Sequence, residues 1–132
     1  MIKRIKMKHE EITHKIIGCA MEVHRQLGPG FQEYIYHRAL EKEFKLQNVP
    51  FESEYEIKIF YKGDQIGLRK VDFLVEKIIP VEIKATSEIS DINIAQAKNY
   101  LEASGIEIGL LINSGATSLQ FKRMINNKVS IS

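Results

Sequence analysis

Val71-Asp-Phe-Leu-Val-Glu-Lys-Ile-Ile-Pro-Val-Glu-Ile-Lys84 is the stretch on which the fold turns. Two short apolar runs, Val71 to Val75 and Ile79 to Ile83, flank a tight connection, the pattern of two strands joined as a hairpin. If the hairpin is centred near Lys77, Asp72 falls opposite Glu82, and directly opposed side chains of an antiparallel pair share a face. Lys84, two residues beyond Glu82, points to that same face. Two carboxylates able to hold one cation, with an amine beside them, are the minimum set for metal-assisted phosphodiester hydrolysis. The same three residues also suit a cross-strand ion pair on a solvated sheet, Lys84 balancing both acids. Such networks imitate active sites.

The Glu-x-Lys spacing by itself selects nothing. Glu56-Ile57-Lys58 and Glu43-Phe44-Lys45 repeat it. Context separates the copies: the first aspartate of the chain is Asp64, so Glu56 has no aspartate on a preceding strand to partner it. Glu82 has Asp72.

Outward from this hairpin the pattern is that of a sheet flanked by helices. Ile12, Ile16, Cys19, Ala20, Val23 and Leu27 recur at helical spacing and predict a helix from about Glu10, stopped by Gly28-Pro29-Gly30. A second helix is expected from Phe31 to about Leu46, with Tyr36, Leu40 and Phe44 in one line and Glu33 on that line too. Tyr55, Ile57, Ile59 and Tyr61 alternate as a strand, and Lys62-Gly63-Asp64 makes a turn. Ser90-Asp91 can cap a third helix reaching Ala103. Ile106 to Ile112 reads as a buried strand and Leu119 to Ile125 as a last one. The order predicts an α/β fold, a central mixed sheet with flanking helices, in one domain over residues 1–132.

Composition narrows the class. With 132 residues, 44% hydrophobic and 27% charged, the chain is large enough for its own core and ordinary for a globular protein. One cysteine, Cys19, excludes an intramolecular disulfide and suits a reducing cytoplasm; its place on an apolar stripe makes it core. No apolar run approaches a membrane span, and the N-terminus lacks a signal-peptide core. The net charge of +2 does not announce a nucleic-acid binder. Residues 1–9 are basic, with four cations by Lys8, and read as a flexible, solubilising start or a phosphate contact. His9, His14, His24 and His37 lack a zinc spacing. Leu27-Gly-Pro-Gly30 lacks the Lys-Ser/Thr of a phosphate loop. No Ser/His/Asp pattern suggests acyl transfer, and no aromatic-rich basic platform suggests single-strand binding.

Three residues extend the Asp72, Glu82 and Lys84 set. Gln96 and Tyr100 are four apart on the third helix and present together, either as a polar helix edge or as groups that hold phosphate and orient water. Glu33 is either an acid favoured by the dipole of a first helical turn or an inward-facing carboxylate that needs a cation or donor.

Gly30-x-x-Glu33-x-x-Tyr36, Asp72, Glu82-x-Lys84 and Gln96-x-x-x-Tyr100 together resemble the small GxxExxY proteins of the PD-(D/E)XK nuclease superfamily, with a motif order similar to the RecB-like branch. The likeness runs from about Ile12 to Met124 and includes Leu27-Gly-Pro-Gly30 and Gly109-Leu-Leu-Ile-Asn113. It departs where Val71, not proline, precedes Asp72. The resemblance implies a restriction-endonuclease-like core and a metal-dependent nuclease leaving a 5′-phosphate. It implies Mg²⁺ or Mn²⁺ held by Asp72, Glu82, the backbone carbonyl of Ile83 and, directly or through water, Glu33. Lys84 orients the attacking water and Gln96 and Tyr100 position the strand. Nucleic acid is the implied partner, DNA ahead of RNA, with no membrane role and with a homodimer left open. The rival expectation is an inactive nuclease-fold module that binds nucleic acid or a partner protein.

Overall fold

Apolar residues on alternate positions of β3 (Ile79–Lys84) and along β4 (Ile108–Asn113) as far as Ile112 make these the buried centre of a five-stranded sheet of order β1-β2-β3-β4-β5. The computed structural model describes residues 2–128, with side chains from 9 to 128. β1 (Phe51–Tyr61), β2 (Asp64–Val75) and β3 form an antiparallel meander. β3 and β4 are parallel, joined by α3 (Asp91–Ser104), and β5 (Gln120–Ile125) returns antiparallel at the edge. The sheet is mixed and carries helices on both faces, as the sequence predicts.

Two helices cover one face. α1 (Ile2–Leu27) lays Ile12, Ile16, Cys19, Ala20 and Val23 on the sheet, and α2 (Glu33–Leu46) adds Tyr36, Leu40 and Phe44. They meet Phe73, Val75, Val81, Ile83, Leu110 and Ile112. Phe44, Phe51 and Phe73 pack with ring centroids 5.2–5.5 Å apart. Each such buried ring contributes on the order of 2 kcal/mol. Cys19 is fully buried in this layer, and burial, with the Glu43 charge second, pushes its thiol up to about 11. It is a core residue, not a nucleophile.

On the other face α3 packs Leu101 against Leu111 and Met124. Ser90 caps the helix as expected: its hydroxyl accepts the Asn93 N–H at 3.0 Å, and the Asn93 side chain accepts the Ser90 N–H at 3.3 Å. Gly105, at φ +73, ends it. Gly109 lets helix and strand approach: a Cβ there would stand 3.2 Å from Leu101 Cδ1.

The boundaries differ where sequence signals are silent. α1 begins at Ile2 rather than near Glu10, because residues 2–9 are mostly good helix formers with no Gly or Pro among them. The expectation of a flexible basic start rests on side chains before His9, which lie outside the described residues. α2 starts at Glu33, two residues later than expected. β2 extends back to Asp64 through a mostly exposed segment, so its strand state comes from pairing with β1 rather than from an apolar pattern. No helix among the described residues is long and apolar enough to cross a membrane.

Candidate active site

The hairpin register is the one expected. Phe73 pairs with Val81, Leu74 with Pro80 and Val75 with Ile79, which centres the turn on Lys77. The ladder stops there, one pair short of Asp72 and Glu82. Beyond Phe73–Val81 the strands part, and the Ile83 N–H donates to Asp72 Oδ2 at 2.8 Å. A strand residue's N–H and C=O point to the same neighbour, so the Ile83 carbonyl faces this same opening.

Asp72 also marks a change of face. Phe73 and Phe51 pack under α1 and α2, whereas Val71 and Tyr55 pack with Ile57, Ile59 and Tyr100 on the α3 side. Residues two apart on a strand should share a face. The break falls at Asp72 and at Glu54, the residue facing it between the Ser53–Phe73 and Tyr55–Val71 pairs, whose φ is +53. Asp72 is thereby reached from one face by α2, while Glu82 looks to the other.

From α2, His37 Nδ1–H donates to Asp72 Oδ1 at 2.8 Å; an ionised carboxylate can only accept. The ring stacks on Phe73 at 4.4 Å, and Nε2 lies 3.0 Å from the Ser53 hydroxyl. Glu33, Tyr34, His37, Arg38, Glu54 and Asp72 line an open cleft of about 350 Å³. On the α3 side Arg69 grips Glu82 with both arms of its fork, Nε to Oε1 at 2.9 Å and Nη2 to Oε2 at 2.6 Å. The guanidinium lies over the Tyr100 ring, 4.2 Å from its centroid. Burial works against the Arg69 charge, but the hydrogen bonds and charge of Glu82, helped by Tyr100, outweigh it and hold its pKa above the ordinary value.

Glu33 lies within electrostatic reach of Lys84, Asp72 and Glu82. Its carboxyl is held above the usual range, first by partial burial; Lys84 pulls the other way, and Asp72 and Glu82 push it further up. Glu33 stands at the first residue of α2 and is exposed as a residue, so it rims the site rather than facing the core. Tyr36, three residues on, is structural: it is buried, and its hydroxyl donates to the Gly28 carbonyl at 2.5 Å and accepts the Phe31 N–H at 3.3 Å. It ties down the Gly28-Pro29-Gly30 loop, whose glycines have φ +69 and +106. Tyr100 reaches the site through Arg69. Gln96, one turn earlier on α3, is exposed and its side chain makes no hydrogen bond among the described residues. Lys84 makes no ion pair within 4.0 Å among them either, so the alternative of a Lys84-centred ion pair is not what is found: Arg69 pairs with Glu82 and His37 with Asp72.

Those two partners were not singled out from sequence. His37 follows Glu33 by four on one helix face, and that was a usable signal. Arg69 lay in the part of β2 with no apolar alternation, so its direction could not be assigned. In the repeated Glu-x-Lys spacing of β1, Glu56 and Lys58 are exposed, Glu56 opposite Lys70.

A model of the PD-(D/E)XK nuclease superfamily matches residues 10–124. The chain belongs to the PD-(D/E)XK nuclease superfamily. The crystal structure of SSO0001 is similar to this nuclease-superfamily fold, with TM-score 0.52 and 23% identity over 70% of this chain and 48% of that one. The chain thus spans about half the length of SSO0001. No curated protein matches the sequence.

Superfamily membership implies a divalent ion, and the donors here suit one chemically: Asp72, Glu82 and the Ile83 carbonyl offer hard oxygens, with Glu33 at the rim. Among the described residues, however, no three His, Cys, Asp or Glu side chains form a ready cage. The oxygens of both central carboxylates are already hydrogen-bonded.

Because the folded state favours protonated Glu33, its contribution to stability is full below the ordinary glutamate pKa and is lost as pH rises through the raised value. Ionised Glu33 is therefore unfavourable at neutral pH. Glu33→Gln is expected to raise Tm at pH 7 by roughly 2 °C, solvent screening keeping the effect small, and to give no gain at pH 4. Thermal melts at the two pH values check this. A lower Tm at pH 7 would show that the helix dipole, not the acidic site, governs this residue.

Proposed function

We propose that the protein is a metal-dependent nuclease that hydrolyses nucleic-acid phosphodiester bonds, of the GxxExxY type with RecB-like motif order. The observation that carries this reading is the end of the β2–β3 ladder at Phe73–Val81, where Asp72 accepts the Ile83 N–H from one face and Glu82, next to Ile83, looks to the other, with Glu33 and Lys84 within reach of their charge. Asp72, Glu82 and the Ile83 carbonyl would hold Mg²⁺ or Mn²⁺, with Glu33 completing the shell directly or through water. The ion, when bound, supplies an acidified water and a polarised phosphate. Lys84, like Arg38 at the rim of the cleft, makes no ion pair with a carboxylate among the described residues, and it is the cation two residues from Glu82 on β3. Its ammonium orients the water and offsets charge building on phosphorus. Tyr100 and Gln96 position the strand from α3. DNA is favoured over RNA as substrate.

Lys84→Ala separates the roles. Cleavage is expected to fall by roughly a hundredfold or more, the size of a lost electrostatic donor, while Mn²⁺ affinity in calorimetry changes by no more than about threefold. Equal losses in both would place Lys84 in metal binding instead. The test is run with Mn²⁺ and Mg²⁺ on linear and circular DNA, single strands and RNA. The second reading, a binding module without turnover, is favoured by one observation: the site's own Arg69 and His37 already satisfy both acids. Bound nucleic acid with no cleavage and no metal uptake would establish it.

A further inference from the structure

The Arg69–Glu82 pair is a bidentate, largely buried ion pair beside the candidate metal ligands. Both partners are largely buried, with side chains 17% and 16% exposed, and the fork is bidentate and stacked on Tyr100. A divalent ion on Glu82 would draw on the same two oxygens, at about 2.1 Å for Mg²⁺. Each of them already accepts one Arg69 N–H. Guanidinium and metal are like charges and repel at such range. They compete for Glu82.

Charge counting says where the guanidinium goes. Around the cleft and the Glu82 side, Glu33, Glu54, Asp72 and Glu82 face Arg38, Arg69 and Lys84. With His37 set aside, that is four carboxylates against three cations. One divalent ion turns the excess of one negative charge into one positive, and a single phosphodiester neutralises it. Arg69 has the geometry for that anion, since its fork matches phosphate as well as carboxylate. Tyr100 keeps its plane in place through the exchange, because ring stacking does not depend on Glu82.

Resting on the nuclease reading, we propose that Arg69 is a phosphate-binding residue stored on Glu82, and that the metal ion and the nucleic-acid strand enter as a coupled pair, the ion taking Glu82 and the freed Arg69 fork taking a phosphate. Metal binding is weakened while Arg69 sits on Glu82 and is strengthened when a phosphate takes the fork away. Binding is cooperative in both directions, as linkage requires.

The test compares wild type with Arg69→Gln. Mn²⁺ binding is read by calorimetry without nucleic acid, and binding of a short labelled DNA duplex is read by anisotropy with Ca²⁺ across a salt series. Arg69→Gln is expected to bind Mn²⁺ about tenfold more tightly, since its competitor is gone. It is expected to bind the duplex about tenfold more weakly, with a log–log salt slope shallower by about one unit, one phosphate contact fewer. A purely structural Arg69 would leave that slope unchanged. If wild type and Arg69→Gln bind Mn²⁺ and DNA alike, the Arg69 assignment is wrong while the nuclease reading stands. Tighter Mn²⁺ with an unchanged salt slope also overturns it, reducing Arg69 to a counter-ion. If neither protein takes up Mn²⁺ or DNA, the nuclease reading itself fails and this one with it. Should Arg69→Gln not fold, Arg69→Lys keeps the charge and stem but not the fork, and its Mn²⁺ affinity is expected to rise about threefold; no rise counts against the proposal.

Discussion

Asp72→Asn is expected to abolish metal-dependent cleavage while leaving the protein folded. Asparagine is nearly the same shape, and its carbonyl oxygen can still accept the Ile83 N–H that Asp72 Oδ2 takes at 2.8 Å. The amide has lost the charge that a hard cation needs. Transition-state stabilisation by a metal amounts to several kcal/mol, so losing the ion should lower turnover by about a thousandfold or more. Mn²⁺ affinity should fall with it, in contrast to Lys84→Ala. The same change relieves Glu33, whose carboxyl Asp72 helps to hold up. An NMR titration should therefore show the Glu33 pKa moving back towards the ordinary glutamate range. Cleavage near the wild-type rate would remove Asp72 from the metal site. An unfolded Asp72→Asn would make its bonds to His37 and Ile83 the reason for its presence.

The hairpin and its register were legible because Val71 to Val75 and Ile79 to Ile83 are apolar runs around one tight turn, and two strands so short admit few registers. Periodicity placed α1, α2 and α3 for the same reason, and the Ser90 cap has a local chemical signal. What periodicity cannot express is a strand that changes face. Val71 and Phe73 pack on opposite sides of the sheet, and the turn of the backbone at Glu54 and Asp72 that separates them has no signature in an alternating pattern. Opposition of Asp72 and Glu82 was inferred from ideal pairing, and the ladder ends one pair earlier. The partners were illegible for a related reason: Arg69 sits on a stretch whose strand state depends on β1, so its reach to Glu82 is a tertiary fact. Gln96 and Tyr100 differ in surroundings despite their helical spacing, Gln96 being exposed on α3 while Tyr100 is partly buried under Arg69.

Gly115→Ala should be the most destructive Gly→Ala change, although its position carries no chemistry. A Cβ there would lie 2.5 Å from Ala85 C, Thr86 N and Thr86 O, all backbone atoms that cannot rotate away. The segment after Lys84 and the segment after β4 would have to part. Asn113 ties them together: it is fully buried, accepts the Thr86 and Gly115 N–H groups at 3.0 and 3.1 Å, and donates to Thr86 O at 2.9 Å and Gln120 Oε1 at 3.1 Å. The Ser114 N–H donates to the Lys84 carbonyl at 2.9 Å. Overpacking and loss of part of this buried network together cost about 3 kcal/mol or more, a drop in Tm of roughly 10 °C. Because the strained segment begins directly after Lys84, the surviving folded protein should also lose at least about tenfold in cleavage below the melting range, a misplaced catalytic group being costly. Thermal melts and cleavage assays at low temperature check the two parts separately. A fall of less than about 3 °C would mean the two segments can separate freely. It would also mean that the Asn113 network is not what holds the end of β3, and with it Lys84, in place.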